Sequence, residues 1–259
     1  MFRELRESKE IKNAEKEMLY EEAGELEAKI FPALKEVSES LNQKGFPVDE
    51  NCRIKIENFK NIFGEHTIAA DKKMVEKIES KFSKEENKNI GELLEGVKTV
   101  SFNKLWSNNR LVSLRTSKFD DYFNGIDEVI FDTETHQPLA AIDTTTNIKE
   151  KTEKVIDKIK NGSQIKYGFY IKDGIKRGSL NDLPTFIISL KPEELLQFAG
   201  NLVQNDGLKD SLDENNLKVK KQIFTSLKIQ SNEFEKIAAP KMKHSYEVAG
   251  QIFDDLLNF

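Results

Sequence analysis

The amino-acid sequence predicts an α/β protein in which a central mixed sheet is flanked by helices, with helical extensions at both ends. Apolar residues recur at three- and four-residue steps in both terminal regions, which is typical of amphipathic helices. The middle of the chain instead carries short segments rich in β-branched and aromatic residues, separated by turn formers. We expect a helical N-terminal extension (1–89), an α/β core (90–190) and a C-terminal helical region (191–259).

The N-terminal extension is predicted to begin with a helix over residues 3–43, because one apolar stripe runs along that stretch. Pro32 lies inside it, so the helix is expected to kink or break there. A loop over 43–51 and a short extended piece over 52–59 follow, and a second helix is predicted over Ile68–Phe82.

The α/β core is entered through a charged linker (83–89) and a short helix (90–97). Three or four predicted strands then follow, and the candidate segments are KTVSFNKLW (98–106), NRLVSLRT (109–116), DEVIFDTE (127–134) and PLAAIDTTT (138–146).

The rest of the core is predicted to be a helix, a strand, a loop and a strand, and the C-terminal region to be entirely helical. The predicted segments are a helix over 148–160, strands over 164–171 and 184–190, a loop containing 172–182, and helices over 193–204, about 216–238 and 243–257. The strand–helix–strand passage suggests a crossover connection onto the sheet.

Composition excludes several classes of protein. The 259 residues include 40 Lys and Arg against 45 Asp and Glu, a formal charge of −5. The longest apolar runs fall short of the ~20 residues that a membrane span needs, and the N-terminal sequence lacks the apolar region of a signal peptide. One cysteine cannot form an internal disulfide or a cysteine-based zinc site. A cytoplasmic protein without membrane association is therefore expected.

The chemically distinctive region is residues 115–146, which contains two acids on neighbouring predicted strands. Asp127 opens one strand, and Asp143 lies near the end of the next, with a turn at 133–138 that favours an antiparallel hairpin. Two carboxylates ~4 Å apart repel by about 1 kcal/mol in water and about 4 kcal/mol at an effective dielectric constant of 20. A divalent cation between them would offset this repulsion, and oxygen ligands favour Mg²⁺ or Mn²⁺.

This arrangement is similar to the core of the PD-(D/E)xK nuclease superfamily. The resemblance rests on Gly-Ile-Asp at 125–127, a turn, and a second strand ending apolar-Asp-x-polar at 142–145, together with the order helix, three strands, helix, strand. It implies a restriction-endonuclease-like core and a Mg²⁺- or Mn²⁺-dependent phosphodiesterase that acts on nucleic acid. It also implies that Asp127 and Asp143 are catalytic residues that bind the metal.

The chain departs from the family pattern at the position of the family's lysine, which is Thr145 here. A threonine cannot supply a positive charge to a water molecule or a phosphate. Either another cation takes over, with Lys166 or Lys149 as candidates, or the protein no longer cuts. Glu92 or Glu95 on the preceding helix corresponds to an acid that some members place there.

Simpler interpretations of the same residues stay open. Asp143 and the threonines after it fit a cap for the next helix, and Asp120 and Asp121 also suit capping or turn positions. Arg115 and Lys118 could hold a phosphate or pair with Asp120, and pairing is the favoured interpretation.

Residues 147–177 form a locally basic stretch, with nine Lys and Arg against four acids. Such a stretch could follow a nucleic-acid backbone, with Tyr167, Phe169 and Tyr170 stacking on bases. The favoured alternative is that the lysines form the solvated face of a helix and that the aromatic residues belong to the core.

Two functions follow as predictions. The first is a nuclease-like protein that binds a divalent metal and nucleic acid. The second is a scaffold or interaction protein that works through its helical ends, 3–43 and 193–257. In that case the N-terminal helix could pair two copies into a homodimer, although its apolar stripe could equally pack on its own domain.

Overall fold

The computed structural model describes residues 2–82, 88–135, 137–145, 148–171, 174–204 and 214–258. Within them, a mixed sheet of four strands and a second sheet of two strands are flanked by helices. Helices also form both ends of the described chain. The predicted α/β class with helical extensions is therefore confirmed.

The larger sheet contains the predicted acidic hairpin. The strands are β1 Leu111–Arg115, β2 Glu128–Asp132, β3 Gln137–Thr145, β4 Ser163–Ile171, β5 Ile175–Leu183 and β6 Thr185–Ser189. Their order is β1-β2-β3-β6, with antiparallel pairing of β1 with β2 and of β2 with β3, and parallel pairing of β3 with β6. The predicted hairpin is confirmed, since Val129 pairs with Ala141.

Eight α-helices lie within the described ranges. They are α1 Phe2–Gln43, α2 Lys60–Phe63, α3 Glu65–Phe82, α4 Lys88–Ser101, α5 Ile148–Asn161, α6 Pro192–Gln204, α7 Glu214–Ile237 and α8 Pro240–Leu257. Helix α1 continues through Pro32, so of the two outcomes predicted there the break does not occur, and the kink stays a prediction. Residues 83–87 of the predicted linker lie outside the described residues.

The piece predicted to be extended over 52–59 is only partly so. Arg53 forms an isolated bridge with Arg115, and Ile54 forms one with Val48. The chain then turns into a 3₁₀-helix over Ile56–Phe59. These bridges fix Arg53 beside the end of β1.

The prediction of a strand over 98–106 is wrong. Helix α4 continues to Ser101, and one turn of π-helix follows over Phe102–Trp106. Phe102 and Trp106 are fully buried, and their rings contact aromatic rings of α6 and α7. Burial against those helices overrides the β propensity of the segment, because a β-branched or aromatic residue prefers a strand only where a sheet packs it.

The prediction of a loop over 172–182 is also wrong in its described part, because β5 pairs with β4 over that stretch. Only Leu180 and Leu183 are buried in β5, so the strand has little apolar alternation for a sequence pattern to detect. The hairpin β4–β5 and helix α5 together make the connection that returns the chain from β3 to β6. Residues 172 and 173 lie outside the described residues.

One cluster of buried apolar residues runs through the molecule, from Tyr20 on α1 to Leu256 on α8. All three predicted domains contribute to it, and their boundaries stay a prediction. In the described ranges we find no helix with both the length and the hydropathy that crossing a bilayer requires.

Helices α7 and α8 cross closely at Gly250, which gives a test of the packing. A Cβ atom at this position would lie 2.3 Å from Oγ and 2.9 Å from Cβ of Ser231. We therefore expect Gly250→Ala to lower the free energy of unfolding by about 1–3 kcal/mol, measured by urea denaturation. The control is Gly200→Ala in α6, where a Cβ meets nothing within 4 Å, and which should stabilise by about 0.5–1 kcal/mol. Equal effects of the two substitutions would contradict this account.

Candidate metal centre

Three carboxylates from separate parts of the chain converge at one edge of the larger sheet. Glu95 comes from α4, Asp121 from a turn of π-helix over Asp120–Asn124, and Asp127 from the residue before β2. One ligand oxygen from each lies within 4.8 Å of the other two. We call this set the acidic triad.

Backbone hydrogen bonds on both sides fix Asp127 in the sheet. Its N–H donates to the carbonyl of Ile142 at 3.0 Å, and its own carbonyl accepts from the N–H of Thr116 at 2.8 Å. The side chain turns toward β3, where Oδ2 accepts from the N–H of Thr144 at 2.6 Å. Asp127 is only 7% exposed. The fold thus fixes the position of this carboxylate tightly.

The π-helical turn gives its two adjacent aspartates different roles. Asp120 points inward and accepts hydrogen bonds from both Ser117 and Asn124 and from the backbone N–H groups of Lys166 and Tyr167. Burial raises the pKa of Asp120, although these four donors oppose the shift. The predicted site residue Asp120 therefore anchors β4 in this structure, whereas Asp121 faces the triad.

Two buried guanidinium groups hold the other side of the triad. Arg115 Nη2 lies 2.5 Å from a carboxylate oxygen of Glu92 and 2.5 Å from one of Glu95. Arg53 Nη2 lies 2.9 Å from Glu95 Oε2, and Arg53 Nη1 lies 3.1 Å from Asp121 Oδ2. Although burial alone would raise it, Arg115 and Arg53 hold the pKa of Glu95 at about 2.

The favoured interpretation, that Arg115 and Lys118 pair with Asp120, is wrong about the partner. Arg115 pairs with the glutamates of α4 rather than with Asp120, and Lys118 pairs with Glu79 of α3. Asp120 has no ion pair in the described part of the chain because its oxygens are taken by uncharged donors.

The pKa values of the other two members of the triad are shifted in the opposite direction. Burial and the neighbouring charge of Glu95 raise the pKa of Asp121 to about 6. Burial, followed by the charges of Glu95, Asp143 and Asp121, raises the pKa of Asp127 well above its usual range. Within the described chain Asp127 forms no ion pair, so no side-chain cation offsets these effects by direct contact.

Asp143 lies beside the triad, next in sequence to the residue that binds Asp127. It is 1% exposed, and Lys151 Nζ lies 2.6 Å from its Oδ1. Among the described residues no donor hydrogen-bonds Oδ2. Burial alone would lower the pKa of Lys151, but the neighbouring Asp143 outweighs this effect and raises it. Thr145, at the lysine position of the family pattern, is half-buried at the end of β3.

Two further lysines support the same edge of the sheet. Lys98 is fully buried, donates to Oγ1 of Thr144 and lies 3.4 Å from Oε2 of Glu128. Lys158 donates to the carbonyl of Gly125 at 2.9 Å. Burial lowers the pKa of Lys158. These contacts hold the loop before Asp127 and the end of β3.

The two lysines predicted to replace the missing cation are placed differently. Lys166 Nζ lies 2.5 Å from Asp71 and 4.8 Å from the ring centre of Phe119, so its charge is engaged with α3. The side chain of Lys149 lies outside the described residues.

The aromatic residues of β4 mostly belong to the core, as the favoured interpretation of the basic stretch predicts. Tyr167 and Phe169 are fully buried, and Tyr170 is 37% exposed.

Sequence reasoning missed Arg53 and did not single out Lys98 and Lys151. Lys151 had a detectable signal, since a helix that begins directly after β3 brings its first turn near Asp143. Arg53 had none, because its partners lie 42 and 68 residues along the chain.

The acidic triad suits a hard divalent cation. The second carboxylate oxygen of each member accepts no hydrogen bond from the described residues, since every contact of Glu95 falls on Oε2 and those of Asp121 and Asp127 on Oδ2. Oxygens on opposite sides of an ion are about 4.2 Å apart for Mg²⁺ and about 4.8 Å apart for Ca²⁺, by doubling the usual metal–oxygen distances. The ligand oxygens of the triad lie within 4.8 Å of one another, which is compatible with these oxygen–oxygen distances.

The arginine pairs predict how stability depends on pH. The pKa of Glu95 is about 2 in the folded protein, against 4.3 in a model peptide. The stabilisation that the ionised carboxylate gives to the folded state is therefore complete above pH ~4.5 and is lost as the pH falls toward 2. We expect Glu95→Gln to lower the free energy of unfolding by about 3 kcal/mol at pH 7 and by progressively less toward pH 2. Denaturant titrations across pH measure this.

The control for this experiment is Glu233→Gln, which alters an exposed pair with Lys236 on α7 and should change stability little at any pH. A constant difference between wild type and Glu95→Gln from pH 7 to pH 2 would contradict the proposed role of the arginines.

No protein-family model matches this chain, and comparisons with curated proteins and with solved structures gave no match.

Proposed function

We propose that this chain is a divalent-metal-dependent phosphodiesterase that acts on nucleic acid, with a restriction-endonuclease-like core. The observation that carries the proposal is Asp127, which is buried, forms no ion pair among the described residues, and belongs to a triad whose ligand oxygens lie within 4.8 Å of one another. Burying an ionised carboxylate is costly unless a cation meets it. A divalent ion held by the triad would meet that need.

The connectivity of the core supports the proposal. Helix α4, strands β1 to β3 and helix α5 follow one another in the family order. Strand β6 then joins the sheet parallel to β3, after the β4–β5 hairpin of the smaller sheet, which is inserted between α5 and β6. Glu95 lies on α4, Asp127 directly precedes β2 and Asp143 lies near the end of β3, and these positions support the roles that the resemblance implies for the three acids.

The donor set favours Mg²⁺ or Mn²⁺, because all three donors are carboxylate oxygens. Asp143 stands next to them, with one oxygen paired to Lys151 and the other without a hydrogen bond in the described chain. When bound, the ion would polarise the phosphodiester and stabilise the negative charge that develops on its oxygens. Glu95, Asp121 and Asp127 would hold it, and the arginines would keep Glu95 ionised and in place.

Lys151 supplies the cation that Thr145 cannot. Its ammonium group reaches Asp143 from the first turn of α5, and its side chain is 27% exposed, so it remains accessible from solvent. An ammonium group next to the second acid can bind a phosphate oxygen of the substrate and favour the charge of the transition state. The missing lysine on β3 thus does not remove the positive charge from the site.

The proposed reaction is hydrolysis. The oxygen of a water molecule forms a bond to phosphorus, and one ester P–O bond breaks. The water loses one proton, and the leaving oxygen gains one. The reaction therefore consumes one water molecule and requires no oxidant or reductant.

The second predicted function, an interaction protein working through its helical ends, stays a prediction. Helix α1 packs against α4 and α6 of its own chain. The part of its apolar stripe from Leu26 to Leu41 is buried. Met18 is 69% exposed, and the side chains of residues 1–16 lie outside the described residues, so the homodimer stays a prediction.

The first test removes the charge of Asp127 and keeps its shape. We expect wild type to bind Mn²⁺ in calorimetry and to hydrolyse bis(p-nitrophenyl) phosphate, and Asp127→Asn to reduce hydrolysis on the order of 100-fold or more, because metal stabilisation of the transition state amounts to several kcal/mol. The control is Asp254→Asn, a half-exposed partner of Lys228 at the α7–α8 interface. A wild type that neither binds metal nor cleaves the ester would overturn the proposal.

The second test addresses Lys151. We expect Lys151→Met to lower kcat on the order of 100-fold while Mn²⁺ still binds, and Lys151→Arg to recover part of the loss because it restores the charge. Lys160→Met changes an exposed lysine on the same helix and should leave kcat unchanged. If Lys151→Met and Lys151→Arg retain full activity, the cation acts elsewhere.

A further inference from the structure

A cavity of about 450 Å³ adjoins the acidic triad. Tyr20, Ile90, Leu94 and Pro192 form its apolar lining, and Glu95 and Thr145 contribute polar groups. Glu95 is itself a member of the triad. A ligand in the cavity would therefore lie directly beside an ion held there.

The size and lining of the cavity suit one flat organic group. Its volume falls within the ~300–1,000 Å³ typical of sites for single small molecules. The accessible edges of Tyr20 and Ile90, each 9% exposed, and the half-buried Pro192 offer apolar contact to one side of a nucleobase. Such contact is tolerant of base identity because every base has a π-face. The carboxylate of Glu95 offers a hydrogen-bond acceptor to a sugar hydroxyl or a base amine.

We propose that this cavity binds the nucleoside next to the cleaved phosphate, so that the substrate is single-stranded nucleic acid or an unpaired strand end. This inference rests on the proposed function. A base inside a duplex reaches such a pocket only after it is unpaired and unstacked, and a single strand escapes most of that cost. The pocket thus discriminates by strandedness rather than by base sequence.

Gly91 provides a way to fill the cavity without disturbing the fold. It lines the cavity from α4, and a Cβ at this position would meet nothing within 4 Å. A larger side chain would therefore project into open space, and the helix gains propensity from the change. Gly200→Leu on α6 is the matched control, because its Cβ also meets nothing within 4 Å and it does not line this cavity.

The experiment measures binding of a labelled oligothymidylate of about twelve nucleotides, and of the same strand in a duplex, by fluorescence anisotropy with Ca²⁺ present. Wild type should bind the single strand at least ~10-fold more tightly than the duplex. Gly91→Leu should weaken single-strand binding roughly 5- to 100-fold, and Gly200→Leu should not weaken it. Thermal denaturation checks that both variants fold. A Tyr20→Leu variant should weaken single-strand binding in the same direction.

The outcomes separate the two proposals through the wild-type protein. If wild type hydrolyses bis(p-nitrophenyl) phosphate but binds both forms of DNA equally, or if folded Gly91→Leu binds the single strand as wild type does, the pocket inference is overturned and the proposed function stands. If wild type neither binds Mn²⁺ nor hydrolyses that ester, the proposed function fails, and the pocket inference falls with it.

Discussion

Two buried arginines hold together the parts of the chain that carry the acidic residues. Arg53 and Arg115 are neighbours through an isolated parallel bridge, and their guanidinium groups share Glu95. A buried guanidinium is costly without a partner, so the glutamates of α4 must lie against the end of β1. Arg53 also binds Asp121, which ties in the π-helical turn. These ion pairs therefore hold helix α4, strand β1 and the π-helical turn before β2 together, and so determine where the three carboxylates of the triad lie.

The parts of the site that could be predicted from sequence are those set by local pattern. The sequence predicts the positions of Asp127 and Asp143, because the Asn124-Gly125 turn precedes β2 and the turn at 133–138 joins two strands of alternating apolar residues. For the acid on the preceding helix the sequence offers both Glu92 and Glu95, because a helix pattern shows which residues share a face but not which sheet edge the face meets. Arg53 and Lys98 escaped notice since their roles depend on partners distant in sequence. The same limit explains the errors at 98–106 and in β5, where tertiary contacts rather than residue periodicity decide the structure.

Under the proposed function, Lys151 supplies the positive charge that the PD-(D/E)xK pattern places at the position of Thr145. The β3 position and the first turn of α5 lie close together because the helix follows the strand almost directly. A lysine on either element can bring its ammonium group to Asp143, and here the helix does so at 2.6 Å. Lys98 does not take this role, because it is fully buried and contacts Thr144 and Glu128. It supports the end of β3 from the protein interior instead.

The charges in the site are arranged asymmetrically, and under the proposed function this asymmetry determines which side of the triad attracts a cation most. On the side of α4, arginines hold the pKa of Glu95 at about 2. Toward the sheet, burial and neighbouring carboxylates raise the pKa of Asp121 to about 6 and that of Asp127 further above its usual range. The same fold thus pairs Glu95 and Asp121 with arginines and leaves Asp127 without an ion pair in the described chain. Since a divalent ion gains most where anionic charge is least compensated, its strongest attraction is to the Asp127 side, which is also the side that Asp143 and Lys151 border.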